Sequence, residues 1–208
     1  MRITKTLFIS AVLLMSATGL QAAGFIQKGN YLTVQLKEHQ NYGPSLIRLQ
    51  VVNDQIIRVQ ATAEQSFRNK QSLIIVPQNS KANYKVEEQG DKLIITTAAM
   101  RAVLNEATGQ ITFYDLKDNV LLNEVAQGGK TFKPFTVPDR EIGVDIAKVP
   151  EAQKHGWSWR ALFDSPDNEA FYGLGQHQSE ELNMKGKNED LFQYNTKVSV
   201  PFVISNKN

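Results

Sequence analysis

Leu46-Ile47-Arg48-Leu49-Gln50-Val51-Val52-Asn53-Asp54-Gln55-Ile56-Ile57-Arg58-Val59-Gln60 alternates apolar and polar side chains on both sides of one polar break. Successive side chains of an extended strand point to opposite faces, so Ile47, Leu49 and Val51 share one face and Arg48 and Gln50 the other. Past the break, Ile57, Val59 and Ala61 repeat the inward face, with Arg58 and Gln60 outward. Asn53-Asp54 tolerates the left-handed backbone that a tight hairpin asks for, which makes the two runs an antiparallel pair.

Working outward, the same pattern recurs. Residues 84–89 and 92–97 flank Gly90-Asp91, and 100–105 and 110–115 flank Ala107-Thr108-Gly109. Asp118-Asn119 then turns the chain into 120–123. Shorter apolar runs at 31–36, 73–76, 157–163, 170–174, 191–194 and 198–205 read as further strands. About ten to twelve short strands with turn signals between them, and no helical periodicity, predict an all-β fold of the β-sandwich type. Pro44, Pro77, Pro134, Pro138, Pro150 and Pro166 are expected between strands, where a missing amide donor does no harm. Pro201 falls inside an apolar run and predicts an edge or a bulge there. Residues 127–150, broken by Gly128-Gly129, Pro134 and Pro138, read as a long surface excursion, with 142–146 as a possible strand. One domain over 24–208 is the simplest division, because two halves without staples would each have a small core.

The totals bound the function. The chain has 208 residues, 23 Lys and Arg against 21 Asp and Glu, three His and no Cys. Arg2 and Lys5, the apolar run 7–15 and the small pair Ala22-Ala23 predict an export signal over 1–23, hence a periplasmic or secreted protein. The apolar run is shorter than the roughly 20 residues that span a bilayer, so no membrane attachment is expected after cleavage. The remaining charge is balanced, which gives no electrostatic footprint for nucleic acid. His39, His155 and His177 without cysteines are too few for a zinc site, and neither metal nor cofactor is expected.

Chemistry concentrates near the carboxyl end. Phe171-Tyr172-Gly173-Leu174-Gly175-Gln176-His177-Gln178 carries an apolar-aromatic run into a Gly-x-Gly turn and then presents amide and imidazole groups suited to sugar hydroxyls. Gln176, His177 and Gln178 are therefore the candidate substrate-binding residues. His177 has a second reading, as a cap on a backbone carbonyl of its own turn. Glu180, Glu181, Glu189 and Asp190 follow, but glycoside hydrolysis needs two carboxyls at a set separation of about 5–10 Å, and adjacent loop carboxylates are usually just solvated. Trp157 and Trp159 share a strand face; core packing is the first reading and a sugar-stacking platform the second. Lys185-Gly186-Lys187 lacks the glycine pattern of a phosphate loop and reads as a solvated tip. There is no Gly-x-Ser-x-Gly element and no thiol nucleophile.

The element Phe171–Gln176 with His177, followed by Tyr194-Asn195-Thr196 and Val200-Pro201-Phe202-Val203-Ile204-Ser205, resembles glycoside hydrolase family 31, the α-glucosidases and α-xylosidases. The runs 47–54, 57–60 and 105–113 agree with it. The resemblance covers nearly all of 24–208 and implies the family's amino-terminal galactose-mutarotase-like β-sandwich. It implies an α-linked oligosaccharide as ligand, and a following (β/α)8 barrel of about 250 residues bearing both catalytic aspartates. On that expectation the catalytic barrel is missing from this chain, no catalytic residue lies within it, and the chain alone is inactive. Gln176 stands where many members carry an acidic residue, and Gln178 near where some place an aromatic. The loop 178–190 is the part expected to touch the +1 sugar. A stand-alone carbohydrate-binding module is the alternative, and aldose epimerisation rests on fold likeness alone.

Overall fold

The computed structural model describes residues 24–38, 41–68, 75–76, 82–127, 129–137, 145–178 and 181–207. The predicted export signal, His39, Glu180, Pro77, Pro138, half of the proposed strand 73–76 and most of the proposed strand 142–146 lie outside them.

The alternation around Asn53 produces β3 (Leu46–Asn53) and β4 (Ile56–Thr62), with Ile47 and Leu49 at 0% exposure. Their turn forms without the expected left-handed residue. Asn53 Oδ1 accepts a hydrogen bond from the Gln55 amide at 2.9 Å, and the register slips between Val51 and Asn53. The side chain thus supplies an Asx-turn in place of a positive φ. Ahead of this pair come β1 (Phe25–Lys28) and β2 (Tyr31–Gln35), which complete a four-stranded antiparallel sheet in the order β1-β2-β3-β4.

The second sheet is also a meander: β5 (Lys85–Gln89), β6 (Lys92–Thr96), β7 (Met100–Asn105), β8 (Ile111–Asp115) and β9 (Val120–Asn123). Gly90, Gly109 and Asp118 occupy the left-handed region in its turns, as the sequence predicts. The inward faces of the two sheets make one core. Leu32, Val34, Ile47, Leu49 and Val51 meet Leu93, Ile95, Ala102, Leu104 and Ile111, all at 1% exposure or less.

One end of the sandwich is tied by charge. Lys37, just after β2, reaches Asp91 and the buried Glu106, both at 2.8 Å, from turns of the opposite sheet. Asp91 first and Glu106 second push the Lys37 ammonium well above its usual range, so it stays charged.

Two ribbons follow: β10 (Lys130–Thr136) with β11 (His155–Ala161), and β12 (Phe171–Gln176) with β13 (Val198–Ser205). A 3-10 turn at Ile146–Lys148 and the one-turn helix α1 (Glu151–Lys154) lead into β11. Three expectations need correction. Residues 130–136 are a strand, not an excursion, and Pro134 lies inside it opposite Trp157. The Pro134 nitrogen faces away from β11, on the side where the Phe132 amide donates to the Tyr42 carbonyl at 2.7 Å, so the proline forfeits no bond of the β10–β11 ladder. Residues 191–194 form no strand; Tyr194 makes an isolated bridge to Lys197 across a tight turn. Pro201 sits in an irregular stretch of β13, as its position in the sequence implied.

Candidate functional site

The Gly-x-Gly turn is built by backbone geometry. Gly173, Leu174 and Gly175 all have positive φ, at 124°, 64° and 106°. Pairing with β13 runs from Gly173↔Val203 to Gly175↔Ser199, so one residue of β12 faces three of β13. Both glycines approach that bulge too closely for a side chain. A Cβ on Gly173 would lie 2.4 Å from the Phe202 carbonyl oxygen, and one on Gly175 2.1 Å from that of Val198. Leu174 is a bulky residue in the left-handed region, a strained state that its surroundings must hold.

His177 supplies part of that hold. Its Nε2 lies 2.7 Å from the Leu174 carbonyl oxygen, clamping the strained peptide three residues back. Its Nδ1 lies 3.1 Å from Glu189 Oε1, yet the alignment fails hydrogen-bond geometry, so the contact is electrostatic. Glu189 in turn binds the Lys197 ammonium, which also donates to the Asp190 carbonyl at 2.7 Å. Lys197 above all, with the His177 charge helping against burial, holds the Glu189 carboxyl below its usual range. The ring therefore makes the backbone-capping contact read from the sequence. It also stitches the 181–190 segment to the ribbon.

The same segment is pinned at its other end. Asn183 Oδ1 accepts the amides of Phe171 and Lys185 at 3.1 Å, and the Met184 amide donates to the Phe171 carbonyl at 2.8 Å. Between these ties lies a groove of about 340 Å3, lined by Tyr172, Gln176, His177, Glu181, Leu182 and Met184 over the two glycines. Gln176 is exposed on its wall. Gln178 is exposed beyond it and does not line it. The carboxylates do not form a hydrolytic pair: Glu189 is engaged by Lys197, and Glu181 is exposed beside Lys187. Among the described residues no three His, Asp or Glu side chains converge as a metal site. No helix among them is long and apolar enough to cross a membrane.

Trp157 and Trp159 reverse the first reading of the sequence. They are 43% and 68% exposed, so neither is packed in the core between the two sheets. Missed from sequence altogether was the buried pair Glu124–Lys130. Glu124 Oε2 accepts the Ile111 amide at 2.9 Å and meets the Lys130 ammonium, which also donates to the Gly109 carbonyl. Burial pulls the Lys130 pKa down against the pull of Glu124. A lone Glu six residues before a Lys carries no sequence signal of burial.

The fold is thus a two-sheet meander sandwich extended by two ribbons, one of them bulged at glycine. Residues 46–208 match the glycosyl hydrolase 31 N-terminal galactose mutarotase-like domain, and the chain belongs to that family. It is 25% identical over 185 residues to an uncharacterized family 31 glucosidase, ORF2, of Pseudescherichia vulneris, covering 82% of this chain and 34% of that protein. Among solved structures, the family 31 α-xylosidase of Xanthomonas citri superposes with a TM-score of 0.74 at 34% identity, over 88% of this chain and 18% of that one. An α-xylosidase from a soil metagenome, complexed with xylose, gives 0.64 at 25% identity, over 88% and 26%. The chain thus spans about a third or less of the length of these relatives.

Proposed function

We propose that residues 24–208 serve as the amino-terminal β-sandwich of an exported α-glycosidase acting on α-linked glucosides or xylosides. In this reading the sandwich braces the ribbon β12–β13, and the ribbon presents Gln176 and the 178–190 segment to the leaving-group sugar. The observation that carries it is the strained Gly173-Leu174-Gly175 bulge, locked by His177 and walled by an exposed amide, within a domain matched to this family. The relatives' names favour glucose or xylose as the sugar. Bond cleavage is assigned to another domain of the enzyme, since Glu181 and Glu189 are not placed as acid and nucleophile.

The test has two arms. In the complete enzyme, Gln176→Ala raises KM for an α-linked disaccharide several-fold and leaves kcat for an aryl α-glycoside unchanged. Equal effects on both substrates would remove the groove from the leaving-group site. Residues 24–208 alone release no nitrophenol from aryl α-glucoside or α-xyloside; turnover in proportion to purified chain would overturn the assignment. Export is checked by mass spectrometry of the extracytoplasmic protein, with a new amino terminus expected at Gly24.

A further inference from the structure

A second concavity, of about 490 Å3, opens between the edge strand β4 and the β10–β11 ribbon, away from the Gly-x-Gly groove. Register builds one of its walls. Phe132 pairs with Trp159 and Lys130 with Ala161, so these four side chains share one face of the ribbon. Phe163 extends that wall, and Phe67 faces it from the β4 side, held by the Arg48 guanidinium stacked 3.9 Å above its ring. Glu124 and Lys130, 5% and 10% exposed, line the concavity as well, together with Gln60.

We propose that this cleft is a carbohydrate-binding site for a neutral oligosaccharide, separate from the groove beside Gly175. The volume falls within the roughly 300–1,000 Å3 of small-ligand pockets. Glu124 and Lys130 cancel in charge, which selects a neutral ligand. Their contacts with Ile111 and Gly109 fix them in place, so little reorganisation is required on binding. Among the described residues Lys130 donates to Glu124 and Gly109, which leaves the third N–H of its ammonium for a ligand. A purely hydrocarbon occupant would bury that donor without a partner, which is unfavourable. A pyranose has apolar C–H faces for Trp159 and Phe132 and a hydroxyl rim for Lys130 and Gln60. The choice of gluco- or xylo-configured ligands rests on the proposed α-glycosidase reading; the cleft does not.

Calorimetric titration of the purified chain with isomaltotriose and with xyloglucan oligosaccharides tests the inference. Saturable binding is expected to at least one. Trp159→Ala is expected to weaken it about tenfold or more, with Phe132→Ala acting in the same direction. Trp159 is largely exposed, so its removal spares the fold. Absence of saturable heat overturns the proposal, as does binding indifferent to both substitutions. Loss with Gln176→Ala but not Trp159→Ala would move the sugar to the groove, overturning the cleft while leaving the proposed function intact. Tight uptake of anilinonaphthalene sulfonate that no sugar displaces would make the cleft a purely apolar docking face and also overturn it.

Discussion

At Gly175 a methyl group would meet the Val198 carbonyl oxygen at less than van der Waals distance, on a backbone that L-residues rarely adopt. Gly175→Ala is accordingly expected to destabilise the chain by about 2 kcal/mol or more in urea denaturation. Gly156→Ala is the control: nothing lies within 4 Å of its Cβ position, and the change should be close to neutral. The pair Glu189–Lys197 gives a pH signature. Glu189 is depressed in the folded state, so its contribution is whole at neutral pH and fades as pH falls below its ordinary 4.5. Lys197→Met should lower Tm at pH 7, and the gap from the parent should close under acid. Gln176, His177 and Gln178 were legible as polar groups after a glycine turn. What hid was the partner of His177: Glu189 lies twelve residues on, and only the turn at Tyr194–Lys197 brings Lys197 back to fix it.

Elements with strict alternation and glycine or Asx turns were readable, because hairpins pair neighbours in sequence. β6, β7 and β8 fall within a residue or two of the runs expected from their pattern. β10 was not readable, since Pro134 and the flanking glycines signal a loop and only β11 as a partner makes it a strand. Its first residue joins the ribbon to the sandwich. Lys130→Met alone leaves Glu124 as a buried charge without its cation, and a loss of about 3 kcal/mol is expected. Adding Glu124→Gln should restore most of it, because a glutamine oxygen can still accept the Ile111 amide while the charge disappears. A double variant no more stable than Lys130→Met in urea would show that the loss came from packing.

Across the whole molecule, burial is uneven. The core between the sheets is closed to solvent, and Leu49→Ala there should cost about 2–5 kcal/mol, whereas Ile26→Ala on the outer edge should be nearly silent in the same denaturation experiment. Along β12–β13 the reverse holds: Tyr172, Phe202, Val203 and Ile204 are between 42% and 59% exposed on a two-stranded ribbon. Residues 24–208 purified alone should self-associate through that surface, with sedimentation shifting toward larger species as concentration rises, and Phe202→Ser should reduce the shift. Both sheets are meanders drawn from contiguous stretches, β1–β4 before Ala63 and β5–β9 after Tyr84. A polypeptide emerging amino-terminus first can thus finish zipping its opening sheet while the covering one is still being synthesised. For that interval Leu32, Ile47 and Leu49 have no lid, so chaperone demand should peak as residue 62 appears and fall once Ile111 arrives.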